Sequence, residues 1–207
     1  MVPRAFQRRR GLLALWRGAA NEDGVAAVEF AMLLPFMVTL FFGVVECSLA
    51  LLCRADVSIM ASTTADLISQ SDTIATSDIS NIYSAAGTIL YPYYDPSTTG
   101  SAKPTIRITS VIYDSVSQST TVGKVAWTCK QSGSGTLTPT SRAVASTMTL
   151  PQALLSSGSS VIVAEIAYNY ASPTTKVITG AINFTNNFYT KPRRVTQIPT
   201  PTGGCPT

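Results

Sequence analysis

Two glutamates lie within an otherwise apolar stretch near the N-terminus, where a carboxylate is normally avoided. Glu29 stands five residues after Gly24 and opens the stretch, and Glu46 interrupts it near its other end. An ionisable side chain within a membrane segment is costly, so it is a candidate functional residue. A simpler interpretation stays open for Glu29, which would suit the first turn of a helix, where it meets the helix dipole favourably. For Glu46 a structural role is favoured, since it could extend to water at the membrane surface.

Other kinds of chemistry find little support in the sequence. Histidine is absent, which removes the commonest general base and the commonest metal ligand. The cysteines form no C-x-x-C pair, so zinc or thioredoxin-like chemistry has no basis. Glu165 interrupts an apolar strand, but no acid or cysteine makes a recognisable pair with it, and a charge on the solvated face of the strand is favoured. We expect no enzymatic activity, no cofactor and no metal site.

The positive charge of the chain is concentrated at its beginning. Five of the fifteen Lys and Arg residues lie within the first seventeen positions, and the others form no basic stripe with interleaved aromatic residues. We therefore expect no binding of nucleic acid. Lys191-Pro192-Arg193-Arg194 is a small basic cluster that favours a solvated strand end, which would block aggregation. A contact of this cluster with acidic lipid or with a partner protein stays open.

The apolar stretch has the length of a transmembrane helix. No charged residue occurs from Phe30 to Val45, and after Glu46 none occurs again before Arg54. A helix from Phe30 to Cys53 would be roughly 36 Å long, which exceeds a hydrocarbon layer of about 30 Å. The arginines before it predict a cytoplasmic N-terminus and an exported C-terminal part. A secretory signal peptide is the alternative, but this run is longer and no clean A-x-A site follows it.

The sequence around the first glutamate also carries a family resemblance. Gly24-Val25-Ala26-Ala27-Val28-Glu29-Phe30, followed by Ala-Met-Leu-Leu-Pro, resembles the processing site of type IV prepilins and is most similar to the TadE-like pseudopilins of the tight-adherence (Tad, Flp-type) pilus system. Two blocks near the C-terminus, Val161–Tyr170 and Phe188–Arg194, resemble this family more loosely. The middle of the chain is only compatible with it.

The resemblance implies both processing and assembly. A membrane aspartyl peptidase would cut after Gly24, remove residues 1–24 and expose the amino group of Val25. Glu29, with Phe30 beside it, would then pair with the new amino terminus of a neighbouring subunit and neutralise both charges. The implied partners are the membrane, a prepilin peptidase, other pilins or pseudopilins, and the pilus assembly platform. The implied location is the bacterial inner membrane with a periplasmic C-terminal domain.

The four cysteines divide between the anchor and the exported part. Cys47 and Cys53 fall inside the predicted transmembrane segment and are interpreted as small apolar fillers. Cys129 and Cys205 lie on the side predicted to be exported, where disulfides persist. We predict that these two form a disulfide that ties the C-terminal tail to a sheet. By chain-entropy arguments, closing the loop between Cys129 and Cys205 contributes roughly 4 kcal/mol to the free energy of unfolding.

Periodicity predicts an α+β fold in which a long N-terminal helix packs on an antiparallel β-sheet. Val57, Met60, Thr64, Leu67 and Ile68 recur at helical spacing, so the helix is expected to run from about Val25 to Gln70. A second helix is predicted from Ser77 to Tyr91, where Pro92 ends it. The predicted strands are Thr105–Asp114, Thr120–Lys130, Ser160–Tyr170 and Ile182–Thr190. The stretch 141–155 fits a short helix or a loop equally well.

These features predict a cytoplasmic leader (1–24), a transmembrane helix (25–53), a helical region (54–91) and a β domain with a C-terminal tail (92–207). The favoured function is that of a pseudopilin-like minor component of Tad pilus assembly. One alternative is an uncleaved single-pass inner-membrane protein whose periplasmic domain binds a partner. A membrane-tethered enzyme is a second alternative, and a simple signal anchor is a third. The sequence does not distinguish incorporation into the pilus from a role in assembly alone.

Overall fold

The computed structural model describes residues 23–98, 102–131, 133, 142–151 and 153–205. Most of the predicted leader, including the arginines that predict the orientation of the chain, lies outside the described residues. Contacts between residues divide the chain into two compact units, residues 1–45 and 46–207. The predicted transmembrane segment 25–53 therefore extends eight residues into the second unit.

The first helix, α1 (Asp23–Ser69), contributes to both units. In the first unit, every side chain from residue 24 to residue 41 is exposed, although most are apolar. The helix continues through Pro35, which has no N–H to donate. Thr39 Oγ1 donates a hydrogen bond to the Pro35 carbonyl oxygen at 2.8 Å. This unit thus provides a long apolar helical surface without a described partner.

In the second unit, α1 buries one stripe of side chains. The buried residues recur at steps of one to four positions: Glu46, Ala50, Cys53, Val57, Met60, Ala61, Thr64, Ala65, Ile68 and Ser69. This spacing confirms the predicted amphipathic pattern and extends it toward the N-terminus as far as Glu46. Leu67 is the exception, since it lies at the margin of the stripe and is exposed.

A shorter helix follows at nearly the predicted place. This helix, α2, spans Thr76–Gly87 and continues as a 3₁₀ turn over Thr88–Leu90. Its N-cap is Ala75, two residues before Ser77, which the sequence favours as the cap, and the carboxylate of Asp78 accepts the N–H of Ala75 at 3.0 Å. Its buried face adds Ile79, Tyr83, Ala86 and Leu90 to the core formed with α1.

Among the described residues, five antiparallel strands form one sheet. They are β1 (Thr105–Tyr113), β2 (Val122–Gln131), β3 (Thr147–Thr149), β4 (Ser160–Tyr170) and β5 (Ile182–Thr190), in the spatial order β3-β2-β1-β4-β5. The long N-terminal helix and the antiparallel sheet confirm the predicted α+β class. Strand β3 lies in the stretch that was predicted as a helix or a loop. It pairs with the edge of β2 over three residues.

Both faces of the sheet are covered at its centre. On one face, alternate residues of β4 from Ile162 to Tyr170 join α1 and α2 in the larger core cluster. On the other face, Val161 and Val163 pack with Met148, Leu150 and Leu155 from the segment around β3. β4 is therefore buried along nearly its whole length, as expected for a strand with apolar residues on both faces.

The C-terminal tail runs from the end of β5 back across the second unit. The N–H of Arg193 donates to the carbonyl oxygen of Ser69 at the end of α1 (2.9 Å). The indole N–H of Trp127 donates to the carbonyl oxygen of Ile198 (3.0 Å). Thr202 donates to Ile74 (3.1 Å) and accepts from the N–H of Thr76 at 3.0 Å. The tail thus fixes the end of α1 and the start of α2.

Candidate functional site

The predicted processing segment lies at the beginning of α1. Gly24, Val25, Glu29 and Phe30 are all exposed, and the Gly24–Val25 bond falls within the first turn of the helix. Val25 and Glu29 are four residues apart, so they lie on the same side of the helix. The structure thus presents a carboxylate one turn beyond the residue that would become the new N-terminus.

The helix that carries this segment is long enough to cross a membrane. Residues Gly24–Ser69 form one helix with a mean hydropathy of 2.2 in its most apolar window, which meets the length and composition of a membrane span. The first unit exposes large apolar side chains, which include Phe30, Met32, Phe36 and Leu40. An apolar N-terminal helix of this kind indicates a membrane anchor.

Glu46 begins the second unit and is fully buried, so the interpretation that it extends to water is wrong. Its Oε1 atom accepts the N–H of Lys176 at 2.8 Å and the hydroxyl proton of Thr174. Its Oε2 atom accepts the N–H groups of Val177 at 3.1 Å and Ile178 at 2.5 Å. These donors replace the water that a carboxylate would otherwise need.

The loop that binds Glu46 has the geometry of an anion site. Thr175 adopts a positive φ of 49°, which is uncommon for a residue with a side chain. Consecutive backbone N–H groups that turn toward one point form a concavity suited to an anion, and here the anion is the Glu46 carboxylate. Glu46 therefore has a structural role, because it joins the first turn of α1 in this unit to the loop between β4 and β5.

Replacing Glu46 by alanine is expected to release this loop. Three backbone N–H groups would lose their acceptor, so the amides of Lys176, Val177 and Ile178 should exchange with solvent at least about tenfold faster. Residue-resolved hydrogen exchange of the full chain in detergent micelles measures this rate. Glu29→Ala removes an exposed glutamate from the same helix and should leave the three rates unchanged. Equal rates in the wild type and in Glu46→Ala would contradict the proposed role.

A second buried carboxylate lies on the other face of the sheet. The interpretation of Glu165 as a solvated charge is wrong: the side chain is only 1% exposed. Its Oε1 atom accepts a hydrogen bond from Arg142 Nη2 at 2.7 Å, and its Oε2 atom lies 3.5 Å from Arg107 Nη1 on the neighbouring strand. Burial raises the pKa of the Glu165 carboxyl group, and the two guanidinium groups oppose that rise.

The sequence contained a signal for this cluster. Val161 and Val163 lie on the same face of β4 as Glu165, and an apolar face predicts cover rather than solvent. Arg107 stands directly opposite Glu165 in the register of β1 and β4, as a cross-strand partner should. Arg142 comes from a stretch without an assigned element, so its contribution had no sequence signal.

The cysteines occupy the following positions. Cys129 on β2 and Cys205 in the tail form a disulfide, with their Cα atoms 5.0 Å apart. Cys53 is a free thiol in the core of the second unit, and Cys47 is free and exposed. Within the described residues, no group of three or more His, Cys, Asp or Glu side chains is placed to hold a metal ion.

In the basic cluster after β5, Arg193 contacts the end of α1. The guanidinium group of Arg193 forms an ion pair with Asp66 of α1, and both side chains remain largely exposed. With its backbone N–H on Ser69, Arg193 therefore contacts the last turns of α1 twice. Lys191 and Arg194 are exposed.

Comparison with known proteins finds a family match in the N-terminal part of the chain. Residues 24–66 match the family model described as TadE-like protein, which confirms the resemblance inferred from Gly24, Glu29 and Phe30. The match associates the chain with the Tad pilus. It does not include the two C-terminal blocks that resemble the family more loosely. No curated protein and no solved structure matches the chain.

Proposed function

We propose that this TadE-like chain is a pseudopilin-like minor component needed for assembly of a Tad (Flp-type) adhesion pilus. In this proposal a prepilin peptidase cuts after Gly24, and the product is a structural, non-catalytic subunit. The observation that carries the proposal is the start of the family match: it begins at Gly24, the residue before the expected cut, and includes Glu29. The absence of histidine from the sequence supports a non-catalytic role.

The division into two units supports a membrane anchor followed by a separate exported domain. A helix from Gly24 to Val45 is about 33 Å long, which suffices for a hydrocarbon layer of about 30 Å. The second unit begins at Glu46. With the arginines of the first seventeen residues on the cytoplasmic side, the second unit would lie in the periplasm.

Glu29 is the residue that we assign to assembly. A carboxylate at the edge of an apolar helix is expensive to place in lipid unless a cation neutralises it. Cleavage after Gly24 would create such a cation, the amino group of Val25, on each subunit. Pairing between the Glu29 of one subunit and the Val25 amino group of a neighbour would neutralise both charges. The small residues Ala27 and Ala31 on the same helix would let the helices approach closely.

The proposal predicts that alanine at position 24 blocks processing. The mature chain should begin at Val25 in cells that contain a prepilin peptidase, and it should keep its leader in peptidase-deficient cells or in Gly24→Ala. N-terminal sequencing of the protein purified from membranes measures this. Gly43→Ala is the matched control, because an added Cβ meets no atom within 4 Å at either glycine. The control should be cleaved normally.

A different result would favour a different function for this chain. If the leader remains in wild type with active peptidase, the pseudopilin proposal fails. The uncleaved membrane protein with a partner-binding periplasmic domain would then be the better description, and Glu29 would be only a residue at the membrane boundary. If Gly43→Ala also blocked cleavage, the glycine at position 24 would not be the recognised feature.

A further inference from the structure

Strand β5 forms one edge of the sheet, and within the strand itself the usual protection of an edge is absent, since the basic cluster Lys191–Arg194 lies beyond its end. β5 pairs with β4 on one side, and no described strand lies on its other side. Native edge strands are commonly protected by proline, by charged side chains or by bulges. Ile182–Thr190 contains no proline and no charged residue, and its register with β4 has no shift. The edge is therefore suited to pairing with another strand.

The hydrogen-bond pattern determines which backbone groups point outward. The N–H of Tyr113 donates to Ser159, whereas the N–H of Ser160 points away from β1 and donates to Thr196. In an antiparallel ladder this direction alternates, so the even-numbered residues of β4 direct their backbone groups toward β5. Their partners, including Phe184, Asn186 and Phe188, are the even-numbered residues of β5.

The backbone N–H and carbonyl groups of the odd-numbered residues of β5 consequently point toward the open edge. Among the described residues, no hydrogen-bond partner contacts the outward backbone groups of Thr185, Asn187 or Tyr189. Each of the three offers one N–H donor and one carbonyl acceptor to an added strand. An extended peptide that joins such an edge gains affinity from these main-chain bonds.

A groove beside the edge provides room for the side chains of such a strand. Two cavities of about 430 and 450 Å³ lie between α1 and β5. The first is lined by Leu51, Arg54 and Ser58 of α1 with Phe184 of β5, and the second by Ser62 and Leu67 with Phe188. Alternate side chains of an added strand would enter the groove, and the others would point to the opposite side.

The charges along the groove indicate the chemistry of the partner. Arg54 lies at one end, and within the described residues no carboxylate pairs with it. In the second cavity, the charges of Asp66 and Arg193 pair with each other. Lys191 and Arg194 follow β5 at the other end and are exposed, and Arg194 also interacts with the Asp72 carboxylate. We propose that the β5 edge binds an acidic, extended segment of a partner protein, which adds a sixth strand to the sheet. The inference concerns the second unit alone and does not depend on cleavage after Gly24.

A second copy of this chain fits the edge poorly. Two β5 strands paired antiparallel would bring the C-terminal end of one strand beside the N-terminal end of the other. Lys191 and Arg194 of one copy would then approach Arg54 of its partner. Like charges in direct opposition across an interface are unfavourable, so self-pairing is disfavoured at the same positions where an acidic strand is favoured.

The test uses a synthetic strand as the probe. The peptide acetyl-Glu-Thr-Val-Thr-Val-Thr-Val-Glu-amide is titrated into the full chain in detergent micelles, and a peptide with lysine in place of both glutamates serves as control. Affinity is measured by fluorescence anisotropy, and amide exchange is measured by residue. We expect the acidic peptide to bind more tightly and to slow exchange at Thr185, Asn187 and Tyr189. The amides of Phe184 and Asn186, which already pair with β4, should not change.

Two variants separate main-chain pairing from charge. Asn187→Pro removes one outward N–H at an edge position that tolerates proline, and it should weaken binding roughly tenfold. Asn187→Ser keeps the N–H and should bind as the wild type does. Arg54→Glu should reduce or reverse the preference for the acidic peptide over the lysine peptide.

Three results would overturn the proposal. One is the absence of binding by the acidic peptide. The second is binding without protection of Thr185, Asn187 and Tyr189, or with equal affinity in Asn187→Pro. The third is concentration-dependent protection of these amides without any peptide, which would identify a second copy as the occupant. None of these results bears on where the leader is cut, so the proposed function and this inference can fail separately.

Discussion

Replacing Glu165 by alanine is expected to lower the free energy of unfolding by about 3–5 kcal/mol. The buried carboxylate contacts Arg142 at 2.7 Å and Arg107 at 3.5 Å, and alanine would leave both guanidinium groups in the interior without it. Burial already lowers the pKa of Arg142, which reflects the cost of holding this cation away from water. Removing one partner of a buried ion pair is destabilising because the remaining charge stays uncompensated.

Urea unfolding of the full chain in detergent, followed by tryptophan fluorescence, measures this loss. The matched control is Asp66→Ala, which breaks the exposed ion pair with Arg193 and should change stability by less than about 1 kcal/mol. A triple variant that replaces Arg107 and Arg142 by methionine and Glu165 by leucine should recover most of the stability, because apolar residues of similar size need no counter-charge. If Glu165→Ala costs no more than Asp66→Ala, the cluster does not stabilise the fold.

The elements that the sequence predicted well are those with strong periodicity. The stripe through Val57, Met60 and Thr64 has helical spacing, and it lies on α1 as expected. The strands β4 and β5 occupy the predicted ranges Ser160–Tyr170 and Ile182–Thr190. Their sequences are rich in β-branched and aromatic residues, and turn residues lie between them. This pattern is local to each segment, so it predicts the strands from the sequence alone.

The interpretations of Glu46 and Glu165 as solvated charges are wrong because the groups that bind them are distant in the sequence. Glu46 continues the helical stripe of Ala50 and Cys53, which predicts burial. Because the residues around this stripe are also apolar, the stripe does not stand out in the sequence. The hydrogen-bond donors to Glu46 include the backbone N–H groups of residues 176–178. Every residue except proline has such a group, so the amino-acid sequence does not single these three out. Strand β3 was missed for a related reason, since three residues are too short to show a period of two.

Removal of the disulfide by the double substitution Cys129→Ala and Cys205→Ala is expected to lower the free energy of unfolding by about 2–4 kcal/mol. The two residues are 76 positions apart, so the bond greatly restricts the unfolded chain. It also holds the tail near its hydrogen bonds with Trp127 and Thr76. The amides of Thr76 and Thr202 should therefore exchange faster in the double variant.

Urea unfolding with and without a thiol reductant tests this expectation. Reductant should lower the stability of the wild type to that of the double variant and should leave the double variant unchanged. Cys47→Ala removes an exposed free thiol and should match the wild type in both conditions. Two free thiols at Cys129 and Cys205 in protein purified under oxidising conditions would contradict the bond. That result would leave the tail held by its hydrogen bonds, by the ion pair of Arg193 with Asp66 and by the burial of Ile198 in the core.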